Sequence, residues 1–371
     1  MNFAFSEEQE ELRKAVRRFM EDKSPVTEVR RLMETAEGYD PAVWRQLSEQ
    51  LGLAGLAIPE AYGGSGFTAV EQTVVFEEMG RALYCGPYFA TVALAANALM
   101  ASGDEAAQAD YLPGIAAGET IATLAVTEAD GGWGIDSFVT SASTSGNGYT
   151  LRGAKSYVID GQNASLFLVG ATAPGGVSIF AVEAGAPGLS VEPIPTLDQT
   201  RKMAAVSFSD TPARLVGAEG AGVAVLSATM DLAAVALAAE EVGGAAKCLE
   251  MSVDYAKSRI QFGRAIGSFQ AIKHKCADVL LEVESAKSAA YYAGWVASQD
   301  SDELAVAAPL AKAFCSDAYF KAAAENIQIH GGIGFTWEHD AHLYFKRAKA
   351  SQLLFGDSTY QRAKLADRVG I

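Results

Sequence analysis

Arg259-Ile-Gln-Phe-Gly-Arg-Ala-Ile-Gly-Ser-Phe-Gln270 and Gln328-Ile-His-Gly-Gly-Ile-Gly-Phe335 are the two stretches on which the fold turns. Each lies at the edge of a long helical pattern, and each combines charge, aromatic rings and glycines in a way a plain surface helix does not. Outward from them, helical periodicity runs over about 222–258, 269–298, 302–330 and 337–349. The first of these alone gives roughly 50 Å of helix at 1.5 Å per residue. Long helices joined by short loops predict a four-helix bundle over 217–371.

Upstream the texture changes. Between 121 and 216 lie short β-branched or alternating runs, Thr123–Thr127, Tyr149–Leu151, Leu166–Val169, Val177–Val182 and Ala205–Phe208. Turns such as Ala173-Pro-Gly-Gly176 and Ala186-Pro-Gly188 separate them, which predicts a middle antiparallel β-barrel domain. Residues 1–120 return to helical spacing, with Leu12, Val16, Phe19 and Met20 on one face and Ser6 with Gln9 as a capping box. Glycine-rich Ala61–Phe67 breaks that pattern before a further helix through Val74 to Leu83. The predicted fold class is therefore multidomain α+β: an N-terminal helical domain, a middle β-domain and a C-terminal bundle.

The chain has 371 residues, half of them hydrophobic and a fifth charged, with a formal net charge of −16. Its length asks for two or three packed units. The acidic balance argues against a nucleic-acid partner, though a local basic patch could still dock an anionic ester. Cys85, Cys248, Cys276 and Cys315 stand far apart without metal-ligand spacing and read as reduced thiols of a cytoplasmic protein. His274, His330, His339 and His342 form no metal set. The start of the chain turns acidic at once and is not a signal peptide. The most apolar run, Val223–Ala239, is interrupted by Asp231 and falls short of the roughly 20 residues a membrane span needs.

The order of helices, strands and helices, together with five short motifs, resembles the acyl-CoA dehydrogenase family of flavin enzymes over essentially the whole chain. The motifs are Ile58-Pro-Glu-Ala-Tyr-Gly-Gly-Ser-Gly66, Phe76-Glu-Glu-Met-Gly-Arg81, Leu215-Val-Gly-Ala-Glu-Gly-Ala-Gly222 and the two stretches quoted at the outset. The resemblance implies FAD as cofactor and an acyl-CoA thioester as substrate. A carboxylate would take the α-proton while the β-hydrogen leaves as hydride to flavin N5. It also implies an electron-transfer flavoprotein as oxidant, and a homodimer or homotetramer, or a heterotetramer.

Residue by residue, Arg259, Gln261 and Phe262 match the segment that meets the FAD pyrophosphate and adenine across a dimer interface. Gln270 matches a residue near the adenine. Gln328, Gly331 and Gly332 match the glycine-bearing stretch from the neighbouring subunit. A guanidinium suits phosphate through bidentate bonds, and glycine lets backbone approach a cofactor. In the β-domain, Val126, Thr127 and Gly132 align with residues lining the flavin ring. The family's Thr-Glu-Pro-Gly-x-Gly-Ser-Asp reads here Thr127-Glu-Ala-Asp-Gly-Gly-Trp-Gly134, so Trp133 replaces a small serine. Tyr157 stands where the family has tryptophan against the flavin, and Ile159 where it has a hydroxyl near N5.

The family's C-terminal Tyr-Glu-Gly-Thr corresponds here to a stretch in which Phe355 takes the glutamate's place. The alternative family site, on the first bundle helix, falls on Ala233. Neither residue can accept a proton. Further along that helix lie Glu240 and Glu241; at 100° per residue Glu240 returns to within roughly 20° of Ala233's face, and Glu241 to about 80°. Glu240 is the expected base, displaced by roughly 10 Å along the axis. Glu241 and Asp357 are further candidates, Asp357 lying nearer the flavin-binding loop. The competing reading makes these carboxylates structural. Two other functions share the pattern: a partner subunit of a mixed dehydrogenase with little chemistry of its own, and a fold-sharing flavin monooxygenase or nitroalkane oxidase.

Overall fold

The computed structural model describes residues 5–146, 148–299 and 301–371. Eleven α-helices are defined among them: α1 Glu7–Lys23, α2 Val26–Met33, α3 Pro41–Arg45, α4 Ala69–Arg81, α5 Asn97–Ala101, α6 Glu105–Ala116, α7 Gly222–Ser258, α8 Gln270–Ala297, α9 Leu304–His330, α10 Ala341–Leu353 and α11 Ser358–Val369. The strands are β1 Ala122–Ala125, β2 Ser141–Ser145, β3 Gly148–Ile159, β4 Leu166–Ala173, β5 Gly176–Glu183, β6 Leu189–Ile194, β7 Met203–Val216, β8 Ile260–Gln261 and β9 Arg264–Ala265. The short strands β2 and β6 and the last helix α11 escape the periodicity reading.

By packing, the chain forms two compact units that do not follow chain order: residues 1–30, 69–84 and 234–371 make one, and residues 31–68 and 85–233 the other. In the first, α1 starts on the expected capping box, with Gln9 N donating to Ser6 Oγ at 3.2 Å and Ser6 N to Gln9 Oε1 at 2.9 Å. Val16 and Met20 are buried. Arg13 and Arg17 on α1 reach the buried carboxylates Glu77 and Glu78 of α4, at 2.7 Å in each case. The core between α7, α8 and α9 is built of small side chains, including Ala234, Ala238, Ala290, Ala293, Ala308 and Ala311. Small residues let helix axes approach closely. The approach of α4 to α7 shows it from both sides: a Cβ on Gly243 would stand 1.8 Å from the Glu77 carbonyl oxygen, and one on Gly80 1.9 Å from the Glu240 carbonyl oxygen.

In the second unit the strands close a ring, β4–β2–β3–β7–β5 and back to β4, with β1 paired to β4 and β6 to β7. Closure gives every ring strand a neighbour on both sides, while β1 and β6 have one partner each. The sequence predicted an antiparallel barrel, and the structure corrects this: β1 runs parallel to β4 over Ala122–Ala125, and β2 meets β4 in parallel at Ser141 and Thr172. Both pairings join strands that are not consecutive, which leaves the parallel direction open. Leu151, Phe167, Val169, Phe180, Val206 and Phe208 fill the interior.

The apolar run Val223–Ala239 also needs correction. It belongs to the 37-residue α7, long and apolar enough over one window to cross a membrane by length and composition, yet 67% of that window is buried inside the protein. Packing accounts for its composition.

Candidate functional site

The candidate residues fall into three separate groups of side chains. The first lies at one end of the helical unit. Helix α7 stops at Ser258, whose hydroxyl donates back to the Asp254 carbonyl at 2.9 Å. The chain then makes a hairpin, β8–β9, closed by Phe262 at φ 53° and Gly263 at φ 76°. Two successive positive φ values fit the right-handed twist of a two-residue hairpin. Phenylalanine is an unusual choice there, and its ring is 91% exposed. Arg259, Gln261 and Gln270 are exposed on the same hairpin and the start of α8.

The second quoted stretch arrives at this same end. Helix α9 finishes at His330, and Gly331, at φ 63°, turns the chain. The Tyr255 and His330 rings stack at 4.3 Å, and Ser252 Oγ donates to Asn326 Oδ1 at 3.0 Å. These two contacts bind the last turns of α7 and α9 together, so Arg259–Gln270 and Gln328–Gly332 leave from the same end of the helical unit. A Cβ placed on Gly331 or Gly332 would meet nothing within 4 Å, so the backbone there is open to an incoming group. Among the described residues, no side chain or carbonyl partners the Arg259 guanidinium or the amides of Gln261, Gln270 and Gln328.

The second group belongs to the barrel. Val126 and Thr127 follow β1, and Thr127 O accepts from Ser156 N at 2.8 Å. Strand β3 bulges between Lys155 and Val158, which throws Tyr157 outward at φ 55° with 48% of its surface exposed. Gly132 is exposed, its amide donating to Asp130 Oδ1 at 3.1 Å. Ile159 differs from its neighbours: it is 3% exposed and offers a bound ring almost no surface.

Two residues here were missed by the sequence reading. Lys155 has a fully buried side chain, and its Nζ donates to Val126 O at 3.1 Å and Glu128 Oε1 at 3.0 Å. Glu128 also accepts the backbone amides of Val139 and Thr140, both at 2.8 Å. Burial pushes the Glu128 carboxyl up, but these amides and the ammonium outweigh it and hold it at about 2. Burial lowers Lys155 to about 8 in spite of its anionic partner. The available signal was register: Lys155 has the strand parity of inward-facing Leu151, so a charge there demanded a partner.

The third group holds the candidate bases. Glu240 is 5% exposed, and Arg347 of α10 donates to its Oε1 at 2.6 Å. Glu241 has no exposed surface and accepts from Ser316 Oγ at 2.8 Å, with Lys312 Nζ at 3.6 Å. Burial pushes Glu241 up to about 7, against the pull of Lys312, and lowers Lys312 in turn. Asp357 caps α11 by accepting from Tyr360 N at 2.8 Å. Phe355 sits at φ 59° in the corner between α10 and α11, where Gln361 Nε2 donates to its carbonyl at 2.6 Å. All three carboxylates are thus engaged within the protein. The sequence placed Glu240 on the Ala233 side of its helix, and the structure shows that the neighbour waiting there is Arg347.

Comparison with known proteins supplies the family. The chain matches the acyl-CoA dehydrogenase N-terminal domain over residues 6–119, the middle domain over 123–211 and the C-terminal domain over 220–370. It is 35% identical to acyl-CoA dehydrogenase IpdE2 of Mycolicibacterium smegmatis, over 98% of this chain and 99% of that protein. Among solved structures, butyryl-CoA dehydrogenase from Megasphaera elsdenii superposes with a TM-score of 0.93 at 27% identity, covering 100% of both chains. The ChsE4–ChsE5 complex from Mycobacterium tuberculosis gives 0.90 at 28% identity, over 100% of this chain and 99% of that one. This chain belongs to the acyl-CoA dehydrogenase family.

It is accordingly an oxidoreductase of the acyl-CoA dehydrogenase class, and its cofactor is FAD. The donor set fits that cofactor. A guanidinium and three amides without partners among the described residues, with two uncrowded glycines at the same end of the helical unit, offer what a dinucleotide pyrophosphate requires.

Proposed function

We propose that this protein carries out α,β-dehydrogenation of an acyl-CoA thioester. FAD, when bound, supplies the hydride acceptor. The observation that carries the reading is the placement of Arg259, Gln261, Gln328, Gly331 and Gly332 at the same end of the helical unit, held together by the Tyr255–His330 stack. On this reading Arg259 binds phosphate, Gln261, Phe262 and Gln270 meet the nucleotide, and this end serves the cofactor of a neighbouring subunit. Val126, Thr127, Gly132 and the exposed Tyr157 ring line the flavin, with Ile159 closing the floor beneath Tyr157. Residues 1–120, 121–216 and 217–371 are taken as the three functional parts. The assembly is a cytoplasmic oligomer that passes electrons to an electron-transfer flavoprotein; the four cysteines form no disulfide among the described residues, in accord with a reducing compartment.

Base chemistry is where the geometry favours a second form of this function. A general base must reach the α-proton, and Glu240 and Glu241 are enclosed by Arg347, Ser316 and Lys312. We assign both to structure, Asp357 to capping, and the base to a second, different chain in a heterotetramer. The solved complex of two related chains named above supports such an arrangement by likeness.

The test is the visible spectrum of the purified protein before and after anaerobic addition of acyl-CoA esters, alone and with any co-purifying chain. Bound flavin that bleaches only with the second chain present is the expected result. Bleaching by this chain alone returns the base to it, with Glu240 first in line. A protein that takes up no FAD in either state would overturn the reading.

A further inference from the structure

Between the end of β1 and the start of β2, residues 126–140 carry no regular secondary structure. A connection of that length inside a compact unit needs anchors. One buried ion pair provides them at both ends. At the entrance, Lys155 Nζ donates to Val126 O and Glu128 Oε1. At the exit, the Glu128 carboxylate accepts Val139 N and Thr140 N, and the Lys155 ammonium lies 3.7 Å from the centre of the Phe138 ring. Two residues past Lys155 the strand bulges and presents Tyr157. The groups read above as flavin-lining, Val126 and Thr127 on the loop and Tyr157 on the strand, therefore hang from the same two side chains.

We propose that Lys155 and Glu128 are positioning residues for the cofactor: their ion pair sets the placement of Val126, Thr127 and Tyr157 against the flavin ring. The inference rests on the reading that those three residues line the flavin. Its physical basis is that a buried lysine in a barrel is costly without purpose. An apolar residue at this inward register would fill the barrel equally well, but could not draw a backbone carbonyl and a carboxylate to one point. Replacing the ammonium frees Val126 O, leaves the entrance joined to the strand only through the Ser156 N to Thr127 O hydrogen bond, and leaves the Glu128 carboxylate serving only the exit.

The experiment uses the full-length protein with FAD. Lys155→Met, Lys155→Arg and Glu128→Gln are compared with the parent for FAD dissociation constant by fluorescence quenching, for the position of the visible flavin bands, and for melting temperature. Lys155→Met is expected to weaken FAD at least tenfold and shift the bands, with Glu128→Gln following in the same direction. Lys155→Arg should recover affinity to within about threefold of the parent, because it restores the charge and its donors. A role in stability alone would lower melting and leave the spectrum of the bound flavin unmoved, and that result overturns the proposal. Where Lys155→Met does not fold, Glu128→Gln carries the same decision. Tyr157→Ala and Thr127→Val separate the two layers of the argument. If they shift the bands while the Lys155 and Glu128 variants do not, the positioning role falls and the lining assignment stands. If none of the variants shifts them, the lining assignment falls, and the positioning role with it.

Discussion

Glu240→Gln separates a catalytic from a structural carboxylate. Both side chains of the Glu240–Arg347 pair are within a few per cent of complete burial, and their closest atoms are 2.6 Å apart. With charge centres roughly 4 Å apart, the attraction is about 4 kcal/mol at an effective dielectric of 20. Removing one partner of a buried pair typically costs ~3–5 kcal/mol, because the other charge is stranded. Glutamine keeps one acceptor for Arg347 and regains about 1 kcal/mol of that. The expected loss is therefore ~2–4 kcal/mol, read as a fall in the urea midpoint followed by circular dichroism. Replacing both partners, as Glu240→Leu with Arg347→Met, should recover most of the loss, since no buried charge remains. The catalytic alternative predicts the opposite pattern. A variant with an unchanged urea midpoint, and flavin bleaching by acyl-CoA slowed by about a hundredfold or more, would refute the structural assignment.

Other predictions follow from the same geometry. The Glu128 carboxyl, held at about 2 against an ordinary 4.5, contributes stability above pH 4.5 that is lost as pH falls toward 2. The ceiling is ~3 kcal/mol, and solvent at the loop surface brings it to ~1–2 kcal/mol, so Glu128→Gln should show a lower urea midpoint at pH 7 and a flatter decline between pH 4.5 and about 2. Lys312→Met strands Glu241 among Ser316 and apolar neighbours and should cost ~3–5 kcal/mol, whereas Glu241→Gln with Lys312→Met should cost less; equal losses in urea titrations would argue against a coupled pair. Phe262→Asn places a residue tolerant of positive φ ahead of Gly263 and should leave melting unchanged or raise stability by up to ~1 kcal/mol, while FAD affinity measured by fluorescence falls at least tenfold. Arg259→Ala should weaken FAD and flatten its dependence on salt, since a phosphate contact is lost; an unchanged salt dependence would remove Arg259 from the phosphate site.

Much of the architecture is local, and so was legible in the chain. The capping box at Ser6 and Gln9, the 3.6-residue period of α7, α8 and α9, and the Pro- and Gly-marked turns of the barrel each need only neighbours in sequence. Arg259–Gln270 and Gln328–Phe335 were legible as the edges of helices, whereas the hairpin β8–β9 was not read from the sequence. Short β2 and β6 were not legible, since a strand such as Ser141–Ser145 is mostly exposed and shows no alternation of apolar residues.

What tertiary structure alone decided is the state of each charge. Sequence put Glu240 and Glu241 side by side on one helix, but Arg347 lies 107 residues from Glu240 and Ser316 lies 75 from Glu241. Whether a carboxylate is a free base or a buried partner depends on those distant groups, and on how near the helices come. That approach is set by small residues such as Gly80, whose missing Cβ admits the backbone of α7. Lys155 makes the same point in the barrel: its parity marks it as inward-facing, while the connection after β1 folds back to supply Glu128 and so a role. Helices and turns are fixed by contacts a few residues apart, whereas burial and pairing are fixed by which surfaces meet.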